Sequence, residues 1–489
     1  MSAPALNVDI LFYIMAFSSR KALLKMMLTS GDLHRGGIKH LLRKDPILWN
    51  KKNFRSFLRF CDARGQVAET AYRMNHLRGL EIDMDPDCFN YEDEDRIQRE
   101  LGSIAQALTH LLTSTIRVYA HNFTRLLILS CDFLLAADPD LPLAIASLTT
   151  LTYLNLGDAA TEHSFKLLGS LQSRLVEANI GMSIDLIDPP DGDLTALLRH
   201  SESSTTVLSL YHTSNPTGVA CYPQLHTLNI RHLDVPTTRH YVTTFPNLQV
   251  LDATECIGSF SEDEECTRRR NLNISQQVQG GSWCSLRGYV GSILFLYLFG
   301  ITCHVAYVRV NAHDEYESMD FDKVRAVVAD THPEHLVVEA SEVSHILDQT
   351  SDIIALFKDA EFQAVKTFVL DLSLSTEDHK TDMEAMLECV FTAVSSSLSL
   401  VGFALVIEWS SLGCGIVDTI RIRPSGKKQR PTKRPRAQVF LKSLDVHSVA
   451  DRLLQSCQSL QAVKVTLGDV TVDRGPVDLF FDEETLGPG

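Results

Sequence analysis

The residues best suited to catalysis or metal binding are His332, Glu334 and His335, which stand close together. They do not form the H-E-x-x-H arrangement of zinc hydrolases, and we interpret them as a turn between two elements. The eleven cysteines occur singly, with no C-x-x-C pair, which predicts reduced thiols, and those in apolar contexts such as Cys256 and Cys303 should be buried. The sequence contains no G-x-S-x-G, P-loop or G-x-G-x-x-G motif. We therefore expect no catalytic site, no metal and no cofactor.

The amino-terminal residues 1–45 predict three short helices with more apolar side chains than they can bury among themselves. Asn7 can cap the first helix, a Ser18-Ser19 break precedes the second, and Gly31 with Asp32 opens the third. Some of this apolar surface should meet a partner.

The same residues resemble an F-box, the helical module that docks onto a Skp-type adaptor of a cullin ubiquitin ligase. The proline of the usual Leu-Pro opening is replaced by Asn7. Residues 37–43 and 56–60 are similar to F-box proteins common in mushroom-type fungi. The resemblance implies that the adaptor interface is formed by Leu6, Ile10, Leu11, Ile14, Phe17, Leu23, Leu24 and Leu28.

A second pattern, close to L-x-x-L-x-L, recurs along most of the chain and alternates with segments of helical spacing such as 163–171, 237–245 and 447–457. This pattern resembles irregular leucine-rich repeats, in which a short strand and a helix form each turn of a solenoid. The thirteen copies are 77–82, 123–128, 151–156, 175–180, 205–210, 225–230, 248–253, 305–310, 333–338, 365–370, 400–405, 441–446 and 460–465.

The predicted fold class is therefore α/β: an F-box-like three-helix module followed by a leucine-rich-repeat solenoid. Strand–helix alternation also fits a doubly wound α/β domain, which stays as the alternative. Side chains between the repeat leucines should lie on the face away from the helices. Those that we expect to bind a protein substrate are Tyr153, Asn155, Thr227, Asn229, Arg231, Asp252 and Thr254.

The domain prediction has four parts: the module at 1–45, a helical linker or cap at 46–76, the solenoid at 77–480 and a tail at 481–489. Three loops are expected within the solenoid, namely an acidic loop at 83–99, a charged insertion at 259–282 and a basic loop at 421–437. The charged insertion has the spacing of an exposed helix. The basic loop resembles a nuclear localisation signal, carried by Lys427, Lys428, Arg430, Lys433, Arg434 and Arg436.

Residues 288–308 carry no charge other than histidine and are long enough to cross a bilayer. Gly291, Gly300 and His304 oppose that interpretation, and we predict a helix followed by a repeat strand instead. The formal net charge of −16 argues against nucleic-acid binding and favours basic partners. With no recognisable signal peptide, we expect the protein in the cytoplasm, the nucleus or both.

Together these features predict the substrate-recognition subunit of a Skp–cullin–F-box ubiquitin ligase, with a Skp-type adaptor, a cullin and a protein substrate as partners. One alternative is a leucine-rich-repeat scaffold without any link to ubiquitination. A second is an activator of a small GTPase, which would need a catalytic arginine such as Arg231. No nucleic acid and no membrane is expected as a partner.

Overall fold

A computed structural model describes most of the chain, which divides into two compact units, Met1–Leu225 and His226–Gly489. The fold is α/β with mostly parallel strands. The described residues are 7–62, 67–84, 94–159, 161–182, 193–231, 235–254, 263–311, 319–341, 346–347, 349–375, 377–409, 436–476 and 479–480.

The first unit begins with a helical segment and continues as alternating strands and helices. Its strands are β1 (Ile47–Leu48), β2 (Gly79–Ile82), β3 (Arg125–Ile128), β4 (Tyr153–Leu156), β5 (Glu177–Gly181) and β6 (Val207–Tyr211). Its helices are α1 (Val8–Phe17), α2 (Arg20–Met27), α3 (Gly31–Leu42), α4 (Lys51–Cys61), α5 (Val67–Met74), α6 (Glu94–His110), α7 (Arg117–Tyr119), α8 (Cys131–Ala137), α9 (Leu141–Ala146), α10 (Glu162–Ser170) and α11 (Leu194–Leu197). A π-helical segment, Leu111–Ile116, joins α6 to α7.

The second unit continues the alternation with longer strands. Its strands are β7 (Thr227–Arg231), β8 (Val250–Ala253), β9 (Ser285–Ser292), β10 (His304–Asn311), β11 (His335–Ser341), β12 (Thr367–Ser373), β13 (Gly402–Glu408), β14 (Ala462–Leu467) and β15 (Val470–Arg474). Its helices are α12 (Thr238–Thr244), α13 (Asp263–Gly280), α14 (Ile293–Phe299), α15 (Phe321–Thr331), α16 (Thr350–Lys358), α17 (Met383–Ser396), α18 (Arg436–Ser443) and α19 (Val446–Ser456).

Within each unit the strands pair in chain order. Every described pair is parallel except the last, in which β15 runs antiparallel to β14. A doubly wound sheet reverses its strand order at a switch point, whereas neither set of strands has such a reversal. This order excludes the doubly wound alternative for the strands within each unit. Because parallel crossovers are right-handed, successive helices lie on the same side of the strands.

The apolar positions of the recurring pattern form the core. In the first unit Leu126, Leu154 and Ala178 are neighbours in register on three adjacent strands, and each is at most 1% exposed. In the second unit Phe368 and Phe403 occupy the same position on β12 and β13, with stacked rings 6.1 Å apart. Several strands therefore bury one set of alternate side chains while the other set stays partly exposed, as on β4, β7 and β11.

Twelve of the thirteen predicted pattern copies coincide with strands. The copy at 441–446 is wrong, because Leu441 lies in α18 and Val446 begins α19. The predicted helices at 163–171, 237–245 and 447–457 are confirmed as α10, α12 and α19 to within a residue or two. The sequence did not predict β9, nor the antiparallel strand β15.

The uncharged stretch 288–308 is a strand, a seven-residue helix and a second strand, namely the end of β9, α14 and most of β10. The predicted helix is confirmed, but it starts after a strand that we had not expected. No helix in the described part of the chain is both long enough and apolar enough to cross a membrane.

The predicted loops differ from the structure wherever residues are described. The range 46–76 contains the short strand β1 besides two helices, and the acidic range 83–99 already enters α6 at Glu94. Residues 85–93, the tail at 481–489, and the basic loop up to residue 435 lie outside the described residues, while Arg436 begins α18.

The charged range 259–282 is not an insertion but largely the helix α13, which packs between α12 and α14. Its buried side chains Asn273 and Gln277 hold it in place. Asn273 Nδ2 donates to the Pro236 and Leu298 carbonyl oxygens at 2.9 and 2.8 Å, and Gln277 Nε2 donates to the Gly300 carbonyl oxygen at 2.7 Å. The charge pattern had predicted only the exposed side of this helix.

The pairing of β8 with β9 depends on Gly291, which has a φ of +144° and lies opposite Ala253. A Cβ atom at Gly291 would lie 1.9 Å from the Ala253 carbonyl oxygen. We expect Gly291→Ala to destabilise the second unit by about 3 kcal/mol or more, because both backbone strain and a backbone clash must be relieved. Thermal unfolding followed by circular dichroism measures the effect.

The matched control is Gly281→Ala, where φ is +92° but no atom lies within 4 Å of the added carbon. Only backbone strain applies there, so the cost should be about 1 kcal/mol. Equal shifts in the two unfolding midpoints would contradict the close approach of β8 and β9.

Candidate functional surfaces

The first three helices begin where the sequence provides N-caps. The side-chain oxygens of Asn7, Ser19 and Ser30 accept hydrogen bonds from the backbone N–H groups of Asp9, Ala22 and Leu33, at 3.0, 3.4 and 3.2 Å. Such caps satisfy amide groups that have no partner within the helix. Capping therefore fixes the boundaries of α1, α2 and α3.

These helices pack around a small interior. Met15, Leu23 and Met27 are at most 4% exposed. Gly37 of α3 lies so close to α1 and α2 that an added Cβ would meet Met27 Cγ at 2.4 Å and Met15 Cε at 2.6 Å. The absence of a side chain at this position is what lets the third helix approach the other two.

A large apolar surface remains outside this interior. We define the amino-terminal apolar face as the exposed side chains of α1 and of the α2 region: Ile10, Tyr13, Ile14, Phe17, Leu24 and Leu28. Phe17 is 75% exposed and Leu28 is 85% exposed, and the rings of Tyr13 and Phe17 lie 5.0 Å apart. Ile10, Tyr13, Ile14 and Phe17 recur at three- and four-residue spacing on one side of α1, and exposed apolar patches of this kind are typical of interaction sites.

Five of the predicted adaptor residues, Ile10, Ile14, Phe17, Leu24 and Leu28, belong to this face. Leu11 is half-buried, Leu23 is fully buried in the interior, and Leu6 lies outside the described residues. Tyr13, which is 69% exposed, was not predicted. Its spacing from Ile10 and Phe17, three and four residues, was the signal available in the sequence.

A cavity of about 510 Å³ lies elsewhere in the first unit, between the ends of α2 and α3, the strand β1 and the helix α4. Its lining includes two exposed apolar side chains, Ile47 and Trp49. The remainder is mostly apolar, with Leu41, Leu42, Pro46, Leu48, Phe57 and Phe60 beside the polar Arg20, Asn53 and Ser56.

Two of the predicted substrate residues lie on the first unit, on the side of β4 that faces away from the buried leucines. The Arg125 guanidinium lies over the Tyr153 ring at 4.8 Å, and Arg125 also forms an ion pair with Asp45 at 3.5 Å. Asn155 has Asn179 as its neighbour in register on β5. Both predicted side chains are half-buried.

The other predicted substrate residues lie on the second unit. We define its open face as the side of strands β7 to β14 that points away from the core leucines. Asn229 and Asp252 are direct neighbours in register on this face, with Thr227, Arg231 and Thr254 on the same side. The same row continues with Val290, Arg309, Val337 and Val369.

The open face has an apolar part. Val250 and Tyr307 are buried together, and the half-buried Val290 and Val337 pack against them. Burial raises the pKa of the Tyr307 hydroxyl to about 12. At neutral pH this tyrosine therefore presents a neutral surface.

Toward the carboxyl ends of the strands the open face becomes charged. Arg309 forms an ion pair with Glu339 on the neighbouring strand, with its Nε 2.7 Å from Oε1. Burial would lower the pKa of Arg309, but the bond to Glu339 outweighs burial and holds it above the ordinary value. Burial raises the pKa of Asp252, whereas the charges of Arg231 and Arg309 act in the opposite direction.

Asp371 lies beside Glu339 in register on β12, and Glu408 follows on β13 two residues beyond the direct neighbour of Asp371. Burial raises the pKa of Asp371 to about 6, and the carboxylates of Glu339 and Glu408 add to the rise, while Arg309 opposes it. Arg309, which is paired with Glu339, is the only described cation that lowers the pKa of Asp371. This end of the open face therefore has a negative potential.

Some polar atoms on the open face are buried without a hydrogen-bond partner among the described residues. They are Asp252 Oδ1, Thr254 Oγ1 and Asn311 Oδ1. Asn311 is the direct neighbour of Glu339 in register. Buried acceptors without a partner are uncommon in native proteins, because each costs about 1–3 kcal/mol.

The histidines that opened the sequence analysis do not form a metal site. His332 ends α15 in a left-handed conformation and lies 3.5 Å from Glu361, whereas His335 begins β11 and contacts Thr367. Within the described ranges, no group of three histidine, cysteine, aspartate or glutamate side chains could hold a metal ion. Cys303 is buried as predicted, and burial raises the pKa of its thiol to about 11, whereas Cys256 lies outside the described residues.

No family model matches the chain, and no curated protein matches it significantly. The functional assignment therefore depends on the surfaces described above and on the sequence patterns.

The raised pKa of Asp371 predicts a pH-dependent stability. In the unfolded chain this carboxyl titrates near pH 4, whereas in the folded chain it titrates near pH 6. Its ionisation therefore lowers the free energy of unfolding increasingly between about pH 4 and pH 6, and the full loss of stability applies above about pH 6. We expect Asp371→Asn to stabilise the second unit by about 1–2 kcal/mol at neutral pH, after allowance for partial exposure, and to have little effect below about pH 4.

Unfolding midpoints of the variant and of the wild type at about pH 4 and about pH 7.5 measure this difference. Glu384→Gln, at the exposed start of α17, controls for the removal of one negative charge. A stabilisation that is equal at both pH values would contradict the raised pKa.

Proposed function

We propose that the protein is the substrate-recognition subunit of a Skp–cullin–F-box ubiquitin ligase. In this proposal the amino-terminal apolar face binds a Skp-type adaptor, and the faces of the strands bind a protein substrate. The irregular strand–helix array would be a leucine-rich-repeat solenoid. The protein would act inside the cell, in the cytoplasm, the nucleus or both.

The observation that carries the proposal is the exposure of the amino-terminal apolar face. Ile10, Ile14 and Phe17 repeat at helical spacing on one side of α1, while Met15 on the other side is fully buried. A helix with apolar residues on both sides is stable only when both are covered. We assign the second covering to another molecule, and the F-box resemblance implies that this molecule is a Skp-type adaptor.

The strand order gives independent support for the repeat part of the proposal. Parallel strands that pair strictly in chain order, with helices on one side, are expected of a solenoid. In the described residues, alternate side chains on the opposite side of the strands stay partly exposed, as on β4, β7 and β11. Such a surface suits an extended or bulky partner better than a small molecule, which would need a deep enclosed pocket.

The receptor role needs no catalytic group in this chain. A ligase receptor accelerates transfer by holding the substrate close to the activated ubiquitin, which raises the effective concentration of the reacting groups. The chemistry is supplied by the cullin-bound machinery. This division of labour agrees with the absence of catalytic motifs from the sequence.

Adaptor binding can be tested with a matched pair of substitutions. Leu28 on the amino-terminal apolar face is 85% exposed, and Leu398 in the second unit is 83% exposed. We expect Leu28→Asp to weaken capture of a purified Skp-type adaptor by at least about tenfold, because a charge would be buried in an apolar interface. Leu398→Asp should leave capture unchanged, and neither variant should alter the unfolding midpoint.

Phe17→Asp provides a second variant on the same face, at a side chain that is 75% exposed. Equilibrium binding of the full-length protein to the adaptor, measured by biolayer interferometry, gives the affinities. If the wild-type protein binds no adaptor, the ligase proposal is refuted and an unconnected repeat scaffold is favoured. If Phe17→Asp instead unfolds the first unit, α1 acts as a cap of that unit.

A further inference from the structure

The acidic end of the open face defines the charge of the partner that it fits. Glu339, Asp371 and Glu408 lie on three adjacent strands, β11, β12 and β13, all on the side away from the core. Neighbouring strands are about 4.8 Å apart and Glu408 lies two residues farther along its strand, so the α-carbons of the three residues span about 12 Å. One of them, Glu339, already holds Arg309.

The other two carboxylates have no such cation. Neither Asp371 nor Glu408 forms an ion pair with a described residue, although the rest of the unit contains many ion pairs. Burial raises the pKa of Asp371 to about 6, the two neighbouring carboxylates add to the rise, and Arg309 offsets it only in part. A cation supplied from outside would relieve this repulsion.

A further hydrogen-bond acceptor lies beside the carboxylates. Asn311 Oδ1, next to Glu339 in register, is buried and has no hydrogen-bond partner among the described residues. Carboxylates and an amide oxygen are all acceptors, and lysine and arginine are the side chains that offer several donors with a positive charge. The half-buried carboxylate of Asp371 and the exposed carboxylate of Glu408 thus offer acceptors to which a partner's basic side chain would donate.

Apolar groups lie beside the carboxylates. Val337 and Val369 occupy neighbouring positions in register, and Val406 lies next to Asp371; all three are half-buried. Val337 also packs against the cluster of Val250 and Tyr307. A partner segment in which basic side chains alternate with small apolar ones is complementary to both the carboxylates and the valines of this surface.

We propose that the open face of the second unit binds an extended protein segment through its lysine or arginine side chains, which pair with Asp371 and Glu408. The inference rests on the proposed function, since it names the class of substrate that the receptor would select. Pairing of basic side chains with these two carboxylates would favour basic segments over neutral or acidic ones and would raise the rate of association.

The test uses the full-length protein and a defined probe. The probe is a fluorescein-labelled dodecapeptide of alternating arginine and valine, compared with the same peptide carrying citrulline in place of arginine. Citrulline keeps the shape of the side chain and removes its charge. We expect fluorescence anisotropy to show binding of the arginine peptide that is at least about tenfold tighter than that of the citrulline peptide, and weaker at high salt.

Because the whole chain has a charge of −16, a basic peptide could also bind non-specifically, and the site must be located by substitution. Asp371→Asn combined with Glu408→Gln should weaken binding of the arginine peptide by at least about tenfold. The control combines Asp352→Asn with Glu384→Gln, on the helices α16 and α17, and changes the net charge by the same amount. It should weaken binding by less than about twofold.

Equal effects of the two double variants, or no preference for arginine over citrulline, would overturn the proposal. The chain also contains its own basic segment, which follows β13 and ends near α18. Binding that appears only after deletion of residues 421–435 would assign the surface to this segment and so overturn the assignment to a partner. Adaptor capture is measured separately, so a failure of peptide binding with intact adaptor capture refutes only this inference.

Discussion

The pairing of neighbouring parallel strands in register is the interaction on which the structure of each unit depends. It aligns apolar positions that are far apart in the sequence, such as Leu126 with Leu154, into continuous buried rows. One strand and one helix alone bury too little surface to be stable, so every turn depends on its neighbours. The same pairing aligns the uncovered side chains, and thus it creates the surfaces to which we assign a function.

Local spacing was enough to predict most strands and several helices, because the apolar positions directly report which side is buried. The prediction failed where another constraint replaced an apolar residue. In β9 the third apolar position is Gly291, which must lack a side chain where it approaches Ala253, and so the pattern was not recognised. At Leu441 and Val446 the same spacing belongs to two helices, since short apolar intervals fit both structures.

The surfaces were harder to predict than the strands. Alternation along a strand correctly predicts which side chains point away from the core, as it does for Asp252 on β8. The charged group around Asp371 was missed because it depends on which residues become neighbours on β11, β12 and β13. Those partners are separated by more than thirty residues each, and nothing local fixes their register. Similarly, helical spacing revealed the apolar character of α1 but not that Leu23 faces inward while Tyr13 faces outward.

The links that follow the carboxyl ends of the strands differ in length. Ile293 begins a helix directly after Ser292, whereas two residues separate Ile128 at the end of β3 from Cys131 at the start of α8. Lengthening a link costs little, because the entropy of closing a loop grows only with the logarithm of its length. Insertions and deletions can therefore accumulate along this one edge while hydrogen bonding between the strands stays the same. Evolution can therefore change what this edge of the strands binds by altering the lengths of these links, while the buried core residues stay the same.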